Sequence, residues 1–162
     1  MSDGGLRVRP AGAADLADVV RIERAAAEAP HWAAEVYAAM VTGDAEAAVQ
    51  RCLIVAEMEG VVGFAVAKVL RLGQSAVAEL ESVAVAEEMR RQGIGRALCA
   101  AAIAWCREQG AEVVELEVRA SSGVASGAIA LYTALGFIET VQRRVYYRHP
   151  IEDALLMVLK LR

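Results

Sequence analysis

The stretch ESVAVAEEMRRQGIGRALCA, residues 81–100, changes character at its midpoint. Its start belongs to a run in which side chains alternate. Glu79, Glu81, Val83 and Val85 fall on one face and Leu80, Ser82 and Ala84 on the other, the period of a β-strand. Its end opens an apolar helical pattern, and between the two stand Arg90, Arg91, Gln92, Gly93, Ile94, Gly95 and Arg96. Glycine inside an element costs about 1 kcal/mol relative to alanine, so a pair of them at a strand-to-helix junction needs a physical reason. The first turn of a helix leaves backbone N–H groups unpaired and carries partial positive charge. It is a ready site for phosphate. Gly93 and Gly95 place no side chain in the way, and the arginines add charge-assisted contacts. The stretch therefore reads as strand, pyrophosphate-cradling turn, helix.

Nucleotide-binding alternatives fit less well. A dinucleotide fingerprint wants a third glycine where Leu98 stands, and the acidic residue expected further on has only Glu112 and Glu115 as candidates. A Gly-Lys-Ser/Thr loop is absent. The plain alternative is a glycine pair that merely packs helix against sheet.

Outward from this junction, residues 6–9 read as a short strand, 13–28 as a helix capped by Gly12 and Asp15, and 31–40 as a second helix after Pro30. Residues 51–72 read as a hairpin turning at Glu59 and Gly60, and 75–89 opens with a third strand. The helix over 93–110 carries Ile94, Leu98, Ala101 and Trp105 on one stripe and stops at Gly110. A strand (111–118), a helix (126–137) closed by Gly136, and a final antiparallel pair (138–147, 152–161) complete the chain. One strand–helix–strand crossover flanked by antiparallel strands makes this α+β with a mixed sheet.

The totals agree. A length of 162 residues suits one domain, 1–162, with a sizeable core. A formal charge of −4 does not advertise a nucleic-acid partner and suits an amine-bearing one. The chain is 57% apolar, yet no run reaches the ~18 residues of a membrane span. The N-terminus lacks a signal-peptide pattern, so the expectation is a cytoplasmic protein without membrane contact. Cys52, Cys99 and Cys106 form no CxxC pair and read as small buried residues, with a catalytic thiol as the alternative. His31 and His149 have no partner at ligand spacing, so no metal site is expected.

Arg90-x-x-Gly93-x-Gly95 after Val83-Ala84-Val85 resembles the R/Q-x-x-G-x-G/A motif of the GNAT acyl-CoA N-acetyltransferases, and the order of elements is similar to theirs. LEVRAS (116–121), AIALYTALGF (128–137), RRVYY (143–147) and EDALLM (152–157) resemble the bacterial ribosomal-protein-alanine N-acetyltransferase branch. The resemblance implies a mostly antiparallel sheet with a splayed parallel pair at its centre and helices on both faces. It implies acetyl-CoA in that gap, with the backbone of Val83, Ala84 and Val85 on the pantetheine and Arg91 through Arg96 around the pyrophosphate. The resemblance also implies that the acceptor amine attacks the thioester directly, so the cysteines need no role.

The branch resemblance implies Glu117 as general base and Tyr132 as general acid. Other members of the superfamily carry a carboxylate on the strand ending in Val85, which makes Glu81, and less so Glu79, competing bases. Tyr146 and Tyr147 match residues near the acceptor groove. One departure is plain: RASSGVASGAIALY stands where the resembled branch has a shorter loop whose asparagine contacts the CoA arm, and the alternatives are Ser122 or Ser126 as its substitute or a remodelled loop. The implied acceptor is a protein or peptide N-terminal amine. The alternatives are a small-molecule amine, or a CoA-binding module without catalysis. Oligomeric state, with a dimer among the options, is left open.

Overall fold

The computed structural model describes residues 5–26, 29–44, 46–119, 127–148 and 151–161. Its elements follow the order that the patterns predict: β1 (Arg7–Pro10), α1 (Leu16–Ala25), α2 (Ala34–Thr42), β2 (Val49–Glu57), β3 (Val61–Leu72), β4 (Ser75–Val85), α3 (Ile94–Glu108), β5 (Val113–Arg119), α4 (Ala128–Ala134), β6 (Ile138–Arg148) and β7 (Ile151–Lys160). Boundaries moved where the backbone refused helix. Ala26 turns extended and ends α1, and α2 starts late because His31 lies at φ 56 and Ala33 at ψ 150. Glu59 (φ 50) and Gly60 (φ 142) make the β2–β3 turn together.

The strands form one sheet in the order β1-β2-β3-β4-β5-β7-β6, antiparallel throughout except at β4–β5. Two cores result, one on each face. Ala78, Leu80, Val114, Leu116 and Met157 pack with Ile94, Leu98, Ala102 and Cys106 of α3. On the other face Val55, Phe64 and Val66 pack with Val19 and Ile22 of α1 and Tyr37 of α2. The buried face of α3 is Ile94, Leu98, Cys99, Ala102, Ile103 and Cys106, while Ala101 and Trp105 flank it half-buried. The expected stripe was rotated because the alanine-rich helix is apolar on more than one side.

The alternation expected along β4 fails at one residue. Ala65 stands opposite Val83 and Val66 opposite Ser82, but Ala67 stands opposite Leu80, so Glu81 is an extra residue on β4. Such a one-residue bulge inverts the facing of everything beyond it. Ala76, Ala78 and Leu80 face the α3 core, but past the bulge it is Val83 and Val85 that pack there, and Ala84 joins the α1–α2 core. Glu81 and Val83 thus do not share a face.

The N-terminal end of α1 is tied to the sheet by charge. Arg9 of β1 donates to Asp15 Oδ2 at 2.7 Å and to Oδ1 at 3.0 Å, and Gly12 N–H donates to the same carboxylate at 2.8 Å. The Arg9 hydrogen bond holds the Asp15 carboxyl below its ordinary range, with burial opposing and the Gly12 N–H assisting. A depressed carboxyl contributes stability above its unfolded pKa and loses it as pH falls through the folded value. Asp15→Asn is therefore expected to cost about 1–3 kcal/mol at neutral pH. The gap in Tm between the two proteins should close as pH drops below about 4, which thermal melts across pH will check.

Candidate active site

The centre of the sheet opens. β4 and β5 pair only at Val77–Val113, Ala78–Val114 and Glu79–Glu115. Beyond that point β4 runs on along β3 to Val85, and β5 runs along β7 to Arg119. Each strand keeps its outer partner while losing the other. Backbone N–H and C=O groups from residue 80 onward on β4 and 116 onward on β5 therefore border a gap, and such groups need partners when buried.

α3 begins at the mouth of this gap. Gly93 caps it at φ 80, a left-handed conformation, and no side chain caps the helix end. Ala97 N–H is the first to find a helix carbonyl, that of Gly93, at 3.1 Å. The amides of Ile94, Gly95 and Arg96 precede it and are left to whatever lies outside the helix. Arg91, at φ 65, makes a second left-handed turn in the same loop. Arg91, Gln92 and Arg96 are exposed around it. Arg90 donates through Nε to Val85 O at 3.3 Å and so braces the loop on the end of β4.

The two glycines serve different ends. A Cβ at Gly93 would meet nothing within 4 Å, so its φ is what requires glycine. A Cβ at Gly95 would touch Leu131 at 3.6 Å and Val85 at 3.9 Å, ordinary contacts pointing into the protein. Packing within the chain therefore does not by itself require glycine at 95. Gly93→Ala is expected to strain the turn by about 1–2 kcal/mol and to weaken diphosphate binding severalfold. Gly95→Ala should leave binding nearly unchanged. Calorimetric titration with CoA distinguishes them.

Strand alternation distributes the acid–base candidates. Leu116 is buried on the α3 side, so Glu117, half-buried and opposite Leu156 on β7, faces the α1–α2 side. Tyr132 of α4 packs on the α3 side, its ring 5.9 Å from that of Phe137 at 62°. Burial first, and then the neighbouring Cys99, push the Tyr132 phenol upward, so it keeps its proton through the physiological range. Glu117 thus lies on the part of β5 that borders the gap, and Tyr132 lies on the α3 side beside Phe137 and Cys99.

Glu81 is otherwise occupied. Arg51 Nε donates to its Oε2 at 3.2 Å, and Lys68 Nζ lies 3.2 Å from its Oε1 and 3.1 Å from Glu79 Oε2. Burial works against the Lys68 charge, yet Glu79 and then Glu81 carry its pKa upward. These cations were not singled out by the sequence. Tyr37, whose hydroxyl donates to buried Glu23 at 2.8 Å, was also missed. Burial raises the thiols of Cys52 to about 11 and of Cys99 and Cys106 to about 12, which keeps them un-ionised and poor nucleophiles. Ser122, Ser126 and His149 lie outside the described residues, as do the side chains of Tyr146 and Tyr147.

Known proteins share the fold. The sequence model of the acetyltransferase (GNAT) family matches residues 16–137. The [ribosomal protein bS18]-alanine N-acetyltransferase of Escherichia coli K12 is 44% identical over 84 residues, 51% of this chain and 55% of that protein. An N-alpha-acetyltransferase of Sulfurisphaera tokodaii is 48% identical over 81 residues, 49% of this chain and 46% of that protein. The chain therefore spans about half the length of the curated relatives it matches. The crystal structure of the ribosomal-protein-S18-alanine N-acetyltransferase from Escherichia coli superposes with a TM-score of 0.74 at 30% identity, covering 97% of this chain and 94% of that one. With a parted parallel pair, an open-ended helix at its mouth and this match over most of its length, the chain belongs to the GNAT acetyltransferase family.

Proposed function

We propose that the chain transfers an acetyl group from acetyl-CoA to the N-terminal α-amine of a protein or peptide. The observation that carries this reading is the parting of β4 from β5 beside the uncapped start of α3. Three free amides, two exposed arginines and a left-handed glycine suit a diphosphate. The gap leading from them suits an extended arm that hydrogen-bonds to the strand edge at Val83, Ala84 and Val85. The activities of the relatives, at a ribosomal-protein alanine and at N-alpha amines, support a protein N-terminus over a free small amine.

The chemistry balances with the groups at hand. The acceptor nitrogen adds to the thioester carbon to give a tetrahedral oxyanion, and the C–S bond breaks as that oxyanion collapses to the amide. Glu117 takes the proton that the nitrogen sheds, directly or through water, and Tyr132 gives its own to the departing sulfur. A strand N–H near Val85 supports the oxyanion that forms in between. No acyl-enzyme is needed, in keeping with un-ionised cysteines.

The test is incubation with acetyl-CoA and a peptide library varied at its first residues, read by mass for Nα-acetylation. Acetylated N-termini are the expected result. Turnover of small amines alone moves the acceptor to a free metabolite amine, and tight CoA binding with no turnover on either panel overturns the enzymatic reading.

A further inference from the structure

The row Arg51, Lys68, Glu79 and Glu81 takes no part in the transfer described above, yet it crosses the sheet where β4 and β5 part. Arg51 stands opposite Lys68 on the neighbouring strand, and Lys68 opposite Glu79. Glu79 is also the last β4 residue paired with β5. Two cations from two strands converge on Glu81: Arg51 donates to both of its oxygens, and Lys68 shares Oε1. Its side chain is only 7% exposed, against 40% for Arg51 and 28% for Lys68. Exposed ion pairs contribute little. A carboxylate buried this far depends on its partners, and removing them leaves an uncompensated charge.

Glu81 is also the bulge residue, with no partner of its own on β3. A bulge interrupts the ladder that would otherwise fix the strand. What holds this one is the side chain, gripped by Arg51 and Lys68. The strand beyond it carries Val83 and Val85 to the α3 side and presents its free edge to the gap. If the bulge slipped by one residue, Val83 to Val85 would turn over.

The geometry points to Arg51 and Lys68 as positioning residues that pin the Glu81 bulge and so set the strand edge on which the pantetheine arm of acetyl-CoA lies. This rests on the acetyl-CoA reading given above. Neither residue touches the reacting atoms. Their work is the register of the strand that does.

The test compares wild type, the double variant Arg51→Leu/Lys68→Met, and Lys68→Arg. Acetyl-CoA Kd is measured by calorimetry, and kcat and acceptor KM with an acetylatable peptide. The double variant should bind acetyl-CoA about tenfold more weakly, with kcat reduced and acceptor KM little moved. Lys68→Arg, which keeps the charge, should stay near wild type. If the double variant does not fold, single Lys68→Met carries the same comparison, with a weakening of about threefold expected. Unchanged acetyl-CoA affinity in the folded variant overturns the positioning role while the acetyl-CoA reading stands. A wild-type chain that does not bind acetyl-CoA overturns that reading and the positioning role with it.

Discussion

Tyr132→Phe is expected to lower kcat by about 10²-fold or more and to leave acetyl-CoA affinity and Tm almost where they were. The phenyl ring survives the change, and with it the packing on Phe137 and the α3 core. Only the hydroxyl is lost, and among the described residues that hydroxyl has no hydrogen-bond partner whose loss would unsettle the fold. Its proton is secure because burial, and then Cys99, push its pKa upward. The phenol is thus present as an acid at any pH where the protein works, and no basic limb near neutrality should belong to it. Removing it makes the sulfur leave as a bare thiolate or wait for water. Pre-steady-state mixing with acetyl-CoA and peptide separates the two stages. Unchanged turnover in the variant would assign the proton to another donor and reduce Tyr132 to a packing residue.

Much of this arrangement is legible along the chain because it is local. The turn from Arg90 to Arg96 and the helix after it depend on residues adjacent in sequence, and glycine's left-handed freedom at Gly93 is a property of that one position. Element order follows for the same reason. What escaped the sequence depends on partners from elsewhere. The bulge at Glu81 cannot be seen in an alternation that continues past it, since the register is fixed by β3 and by Arg51 and Lys68. Glu23 looks like any charged helix residue, yet it is 1% exposed because Tyr37, fourteen residues away, donates to it. In α3 the buried face could not be chosen between two stripes of small apolar residues, because the sheet makes the choice.

Glu117→Gln should lower kcat by about 10²–10⁴-fold near pH 7, and the deficit should shrink as pH rises through 8. The reason lies in the acceptor. An α-amine has a pKa of about 7.7–8.0, so freeing it at pH 7 costs about 1.2 kcal/mol, whereas a lysine side chain at about 10.4 costs roughly 4.6 kcal/mol. A modest base suffices for the first, and as the medium removes the proton the base becomes dispensable. Glu117, on the stretch of β5 that borders the gap, is the carboxylate proposed to do this work. The difference of about 3.4 kcal/mol corresponds to a preference of a few hundredfold for N-termini over lysines from protonation alone. Rates for paired peptides, one with a free N-terminus and blocked lysine and one the reverse, measure that preference directly. A Glu117→Gln variant whose deficit is the same at pH 7 and pH 9 would mean that the side chain places the acceptor and does not take its proton.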